Sequence, residues 1–326
     1  MPKWRSKPDR LRRIHRRPAA SLADIVGARG YAMDMGSSST SSCRPDFRNA
    51  TQRASGAGIA RLGVVSFLNT RPIIDGLDEE NGISLVPLVP SELIGALLEH
   101  QVDVALCSSI DYLRSPVPMT ALSVAPLTCD GPTLTVRLFS RTPMDAIDRI
   151  ACDTDSHTSV ALLRILLRDL WGRSPEIVSF DPHAHDLTSP WPDTVMLIGD
   201  KVVQHPPPDT THPYVTDLGQ AWKELTGLPF VFAFWMAPAS TDSALLEHAG
   251  QSIERCLHRN LGRMESLITI AADEHGWPRP LAAGYLNGLI RYELGPGQLE
   301  GLRMFHERAV HHGIAAEPRP LTFIGA

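Results

Sequence analysis

The sequence predicts an α/β protein of two lobes, with a ligand cleft between the lobes and a helical segment toward its C-terminal end. Three observations predict it. A unit of short β-branched strand, hydroxyl-rich turn and helix opens at Arg61 and is repeated from Ile150. Two apolar stretches, residues 133–140 and 229–236, are long enough to run from one lobe to the other. Over residues 243–312 the apolar spacing becomes three and four residues, the period of helices packed on a core.

The opening unit is RLGVVSFLNTRP, residues 61–72. Leu62, Val64 and Val65 make a buried strand, and Pro72 suits the first turn of a helix, where its missing N–H costs nothing. Ser66, Asn69, Thr70 and Arg71 therefore stand at a strand's carboxyl end, where open α/β sheets bind ligands. Next come a strand over 83–89, a helix over 92–100 with Ser91 as its expected cap, and a strand over 103–106 ending in Cys107-Ser108-Ser109. The alternation Leu134, Val136, Leu138 marks the first crossing strand. In the second unit a strand over 150–152 leads into the turn DTDSHTS, residues 153–159, and a helix to Trp171 closed by Gly172. Strands over 176–180 and 194–198 follow, the latter running into Gly199-Asp200. A helix over 217–225 is stopped by Thr226-Gly227, and PFVFAFWM, residues 229–236, is the return crossing. Beyond it, helices are expected with breaks near Gly262 and at Gly276-Trp277-Pro278, the later ones over 281–293 and 298–311. The expected division is residues 60–126 with 230–326 for the first lobe and 127–229 for the second, with hinges near 124–140 and 229–235. Residues 1–59 read as a basic extension without a fold of its own.

Composition narrows the function. The 326 residues are 43% apolar and 21% charged, as in a folded globular chain. The net charge of −5 conceals a basic tail and a body, residues 61–326, with nineteen Lys/Arg against thirty-two Asp/Glu. So acidic a body argues against a nucleic-acid partner, and no apolar run reaches the roughly 20 residues of a membrane span. The five cysteines are scattered and never spaced as C-x-x-C, so neither a disulfide framework nor a zinc site is indicated, and the expected compartment is the cytoplasm.

Within the second turn, Ser156, Thr158 and Ser159 precede a helix whose first amides and dipole favour an anion. One of these hydroxyls is needed as the cap; the others are candidates for a carboxylate. Arg71 could pair a carboxylate, and Asp200 stands at a strand end facing the same cleft, with a helix cap as its alternative role. No G-x-S-x-G, Walker loop or dinucleotide fingerprint is present. His183-Ala-His185-Asp186 and His311-His312 read as solvated segments rather than metal ligands. No cofactor and no metal are expected.

Taken together, SFLNTRP (66–72), PSELIGALL (90–98), DVALCSSIDYLR (103–114), the segment 156–167, LIGD (197–200) and DLGQAWKELTGLPFVFAFW (217–235) resemble the chorismate dehydratase family of the futalosine route to menaquinone. They occur in family order over about residues 60–312. The resemblance implies a type 2 periplasmic-binding-protein fold used as an enzyme, and cofactor-free removal of water from chorismate to give 3-[(1-carboxyvinyl)oxy]benzoate. On that reading the expectation is that Ser66, Ser109, Ser156, Thr158 and Ser159 hold the two carboxylates while Asn69 orients the reacting edge, with Thr70, Arg71, Ser108, His157 and Asp200 in the same site. Two departures stand out: His157 occupies a place where arginine is expected, and Cys107-Ser108 one where a proline variant is common. The expected partner is a small dicarboxylate, with no nucleic acid and no membrane. The rivals are 1,4-dihydroxy-6-naphthoate synthase, against which SFLNTRP argues, and a solute-binding protein, which should carry an export signal that the tail does not show.

Overall fold

The computed structural model describes residues 59–324 apart from Leu187, and the basic extension before Ile59 lies outside the described residues. Two sheets share one plan. In the larger, β1 (Ala60–Val64) lies between β2 (Ile83–Pro87) and β3 (Val104–Ser108), parallel to both. Strand β11 (Phe230–Pro238) then runs antiparallel to β3 and also pairs with β4 (Met119–Leu122) and β5 (Leu127–Cys129). Short strands β12 (Ile290–Arg291) and β13 (Phe323–Ile324) extend it beside β5 and β4. In the smaller sheet, β7 (Arg149–Asp153) lies between β8 (Glu176–Phe180) and β9 (Thr194–Ile198), again parallel to both. Antiparallel β6 (Val136–Ser140) borders β9, and β10 (Tyr214–Asp217) borders β6. The central strands read as continuous apolar runs because both faces are covered: Leu62 and Val104 are fully buried, as are Val195 and Met196.

This plan places the ligand end. The chain leaves β1 toward β2 on one side, while β3 arrives on the other; β7, β8 and β9 do the same. The carboxyl ends of β1 and β3, and of β7 and β9, are topological switch points, where a crevice must open between outgoing connections.

The helices begin where side chains can satisfy their first amides. After β7, Ser156 caps the thirteen-residue helix α1 (His157–Asp169), its hydroxyl accepting from the Ser159 amide. Asp217 likewise caps α2 (Leu218–Thr226), which Gly227 ends at a φ of 75°. After β1 the helix is only Arg71–Ile74, preceded by a 3-10 turn, Leu68–Thr70. Ser91, expected as a cap, lies outside the helix Leu93–Leu98, whose first turn has no side-chain cap. The C-terminal helices α3 (Ser243–Gly262) and α4 (Met264–Glu274) pack on Arg71–Ile74, and α5 (Pro296–His311) packs on β11 and α1.

Two expectations are corrected. Residues 127–129, placed at the start of the second lobe, form β5 in the larger sheet, because the chain crosses after Cys129. The helix expected over 281–293 is a short helix, Arg279–Gly284, then one π turn, Tyr285–Leu289, and β12, because residues 290–291 find an open edge on β5. Among the described residues no helix is long and apolar enough to cross a membrane.

Candidate functional site

A cavity of about 70 Å³ lies between the two sheets. Four strand ends build it: Val65, Phe67 and Asn69 after β1, Ser108 at the end of β3, Ser156 and Ser159 after β7, and Ile198-Gly199 after β9. Thr133 and Thr135 come from the first crossing, Phe232 and Ala233 from the second, and Ile290 from the C-terminal segment. The polar lining is therefore hydroxyls and one amide, and none of the described lining residues carries a charge.

On the second-lobe side, Ser156 and Ser159 form one unit. Their hydroxyls lie 2.9 Å apart, and Ser156 Oγ accepts the Ser159 amide at 3.2 Å. The positive end of α1 thus stands behind two hydroxyls at the cavity wall. The turn is held by Asp153, wholly buried, which accepts from the amides of Asp155 (3.0 Å) and Ile198 (3.1 Å) and pairs with Lys201 at 2.9 Å. Burial pushes the Asp153 carboxyl up. Burial acts in the same direction on Asp155, but Lys201 (2.5 Å) and His183 (2.9 Å) outweigh it and hold that carboxyl below its usual range. Lys201 thereby ties the end of β7 to the residues just after β9, fixing Ser156 relative to Ile198-Gly199.

On the first-lobe side, Asn69 lines the cavity, and its Oδ1 is buried with no hydrogen-bond partner among the described residues. An unpartnered buried acceptor costs about 1–3 kcal/mol, which a ligand donor would relieve. Ser108 is buried at the same wall. Phe67 closes the cavity across the lobes: its ring stands so close to Gly199 (φ of 67°) that an added Cβ would come within 2.9 Å of it.

The remaining expected residues serve elsewhere, each for an identifiable reason. Ser66 is exposed and absent from the cavity lining: the backbone is still extended here, so alternate residues Val65 and Phe67 face the cleft. Thr70 is buried and donates to the carbonyls of Val65 (2.6 Å) and Phe67 (2.8 Å), closing the turn. Arg71 pairs with Asp75 at 2.8 Å and with Glu274 of α4, away from the cavity. Ser109 donates to the Val231 carbonyl at 2.6 Å, fastening the helix Ser109–Arg114 to β11.

His157, Thr158 and Asp200 join the two lobes instead of lining the cavity. His157 Nδ1 lies 2.8 Å from Asp111, and that bond raises the imidazole pKa above its ordinary value against the opposing effects of burial and Arg114. Thr158 Oγ1 accepts the Ile110 amide at 3.2 Å. Asp200 accepts the Leu68 amide at 3.2 Å and His275 Nδ1 at 2.7 Å, capping the 3-10 turn of the opposite lobe.

Sequence reasoning missed Thr133 and Thr135. They reach the cavity because Leu134, buried between them, takes a φ of 65°. Asp217 clamps that turn, accepting from the amides of Thr133 (3.0 Å) and Leu134 (2.8 Å). The available signal was a Thr-x-Thr at the crossing, polar residues opposite the apolar face of a strand.

Comparison with known proteins identifies the family. The sequence model described as menaquinone biosynthesis matches residues 60–311, so the chain belongs to that family. The chain is 30% identical over 262 residues to a chorismate dehydratase of Thermus thermophilus, covering 76% of this chain and 93% of that one. A solved protein from Archaeoglobus fulgidus superposes with a TM-score of 0.65 at 15% identity, covering 79% of this chain and 99% of that one. The alkanesulfonate-binding protein of Xanthomonas axonopodis pv. citri superposes with a TM-score of 0.59 at 13% identity, covering 84% and 100%. The fold is that of the periplasmic binding proteins.

Proposed function

We propose that this member of the menaquinone biosynthesis family is a chorismate dehydratase that converts chorismate to 3-[(1-carboxyvinyl)oxy]benzoate and water. The observation that carries the proposal is the charge-free cavity in which the unpartnered Asn69 Oδ1 shares a wall with Ser108, across from the Ser156–Ser159 pair at the start of α1. Chorismate has two carboxylates for hydroxyls and a helix N-terminus to hold, and one ring hydroxyl to donate to an acceptor.

In the reaction, the carbon that bears the ether loses its proton and the neighbouring carbon loses its hydroxyl. The C–H electron pair becomes a ring double bond, the C–O pair leaves with oxygen, and the ring becomes aromatic. The described lining groups are amide, hydroxyl and hydrocarbon, none of which titrates near neutrality. The base is therefore assigned to the substrate's own enolpyruvyl carboxylate, which takes the proton and delivers it to the departing hydroxide to complete water, and the protein's share is to orient and polarise. Asn69 steadies the edge from which water leaves, while Ser108, Ser156 and Ser159 hold carboxylates. The Asp200–Leu68 and His157–Asp111 contacts bridge the two sides of the cavity, so parting them widens the way in for the ligand.

The test is incubation of the full chain with chorismate, following the aromatic enol ether by absorbance and mass. Its appearance with loss of one water supports the assignment. Chorismate that is bound and returned unaltered makes the protein a binding protein. Chorismate neither bound nor consumed overturns the assignment and directs attention to the naphthoate synthase reaction.

A further inference from the structure

Asn69 is placed by its backbone. Its Oδ1 has no partner, while its carbonyl accepts the Tyr292 hydroxyl at 2.9 Å. Tyr292 ends a segment that begins with the single π turn Tyr285–Leu289 and continues through β12, beside the crossing at β5. Isolated π turns are local irregularities that recur at functional sites. The same segment touches the other lobe. Tyr285 is buried, stacks on Trp277 with ring centres 5.2 Å apart, and shares a 2.9 Å hydrogen bond with Thr135 Oγ1 at the cavity wall. Between the two tyrosines, Ile290 lines the cavity.

We propose that residues 285–292 form a positioning strap, in which Tyr292 holds the Asn69 backbone carbonyl while the Tyr285 hydroxyl meets both the Asn69 side chain and Thr135 across the cleft. The proposal rests on the dehydratase assignment. Neither tyrosine is among the residues lining the cavity, so both act through the residue they hold. Without the Tyr292 hydroxyl, the Asn69 carbonyl loses the bond that anchors it and the turn can relax. A reaction that depends on placement registers that relaxation in turnover more than in binding.

The experiment measures kcat and KM for chorismate, with thermal melting, on four full-length forms: the natural protein, Tyr292→Phe, Asn69→Ala and the double variant. Tyr292→Phe is expected to lower kcat roughly tenfold with KM little changed. In the Asn69→Ala background the same substitution is expected to do nothing further, because no amide remains to be placed. Tyr285→Phe measured in the natural and the Asn69→Ala backgrounds gives the corresponding cycle for the second tyrosine, and it carries the test if Tyr292→Phe melts without a cooperative transition. An unchanged kcat in the tyrosine variants, or the same loss in both backgrounds, overturns the strap and leaves the dehydratase assignment standing. A natural protein without chorismate turnover removes both.

Discussion

The turns after β1 and after β7 follow one sequence grammar, strand, hydroxyl-rich turn and helix, yet their hydroxyls meet different fates. After β7 a long helix begins at once, so Ser156 and Ser159 are fixed by cap geometry and stand at the cavity. After β1 a 3-10 turn and a four-residue helix intervene, and the hydroxyl of Thr70 is consumed in closing that turn. The exposed Ser66 leaves Asn69 as the polar group of this turn that reaches the cavity. The difference teaches that a strand end announces a site, while the length of the following helix decides which side chains it offers. One turn offers a pair of hydroxyls at a helix start; the other offers a single amide.

Substitution of Asn69 tests this division most severely. Asn69→Ala should lower turnover of chorismate about a hundredfold or more, with a modest change in KM, if the interaction belongs to the transition state as proposed. Steady-state kinetics reads both quantities. A rise in KM with kcat preserved would place Asn69 among the groups that hold carboxylates and erase the contrast between the turns. Ser156→Ala should act in the opposite manner, raising KM about tenfold if one charge-assisted bond to a carboxylate is lost. It should also destabilise the fold by about 1 kcal/mol through loss of the cap, measurable by denaturant titration. Thr70→Val should lower stability without raising KM, since its hydroxyl bonds only to backbone carbonyls of its own turn.

The degree to which the site could be read from sequence follows the same division. Where a local rule fixes the geometry, residue type sufficed: a serine three residues before Ser159 at a helix start, or Asp217 before α2, has one low-energy arrangement. The parallel strands β1, β2, β3, β7, β8 and β9 and the crossings β6 and β11 follow from apolar runs for the same reason, whereas β4, β5, β10, β12 and β13 are short and set by the edges they pair with. Where the geometry depends on distant chain, it did not suffice. Thr135 enters the cavity because Asp217, from the far end of the second lobe, clamps a left-handed Leu134. Asp200 was legible as a cap, but its recipient is the turn at Leu68 in the opposite lobe rather than the helix it precedes. Arg71 reads as a ligand partner from sequence, but Asp75, four residues on at the end of its own helix, and Glu274, from the distant α4, claim it. His157 stands where the resemblance leads one to expect arginine, and its Nδ1 meets Asp111 on the helix Ser109–Arg114 instead of lining the cavity.

That last contact gives a smaller effect with a definite sign. His157 bonds Asp111 across the lobes, and its pKa lies above the ordinary 6.5. A raised imidazole contributes its full share to the closed form below pH 6.5 and loses it as pH rises through the raised value. Apparent ligand affinity should therefore weaken by about fivefold on the alkaline side, the lower end of the usual span of coupling between sites. His157→Gln should flatten that dependence, as titration calorimetry across the pH range would register. An unchanged slope would mean that the lobes close without this pair.

The smallest expected effect is none, and it concerns the residue next to the cavity. Ser66 and Ser108 are both serines just beyond or at the ends of adjacent parallel strands, and sequence alone gives them the same claim on a carboxylate. Backbone alternation separates them: Val65 and Phe67 face inward, which turns Ser66 to solvent, whereas Ser108 is buried at the cavity wall. Ser108→Ala should raise KM about tenfold, the loss of one hydrogen bond to a charged group. Ser66→Ala should leave kcat and KM where they were and stability within about 0.5 kcal/mol, as for other exposed positions. Equal increases in KM for the two variants would show that the chain after β1 turns its other edge to the ligand, and that Phe67 does not close over Gly199.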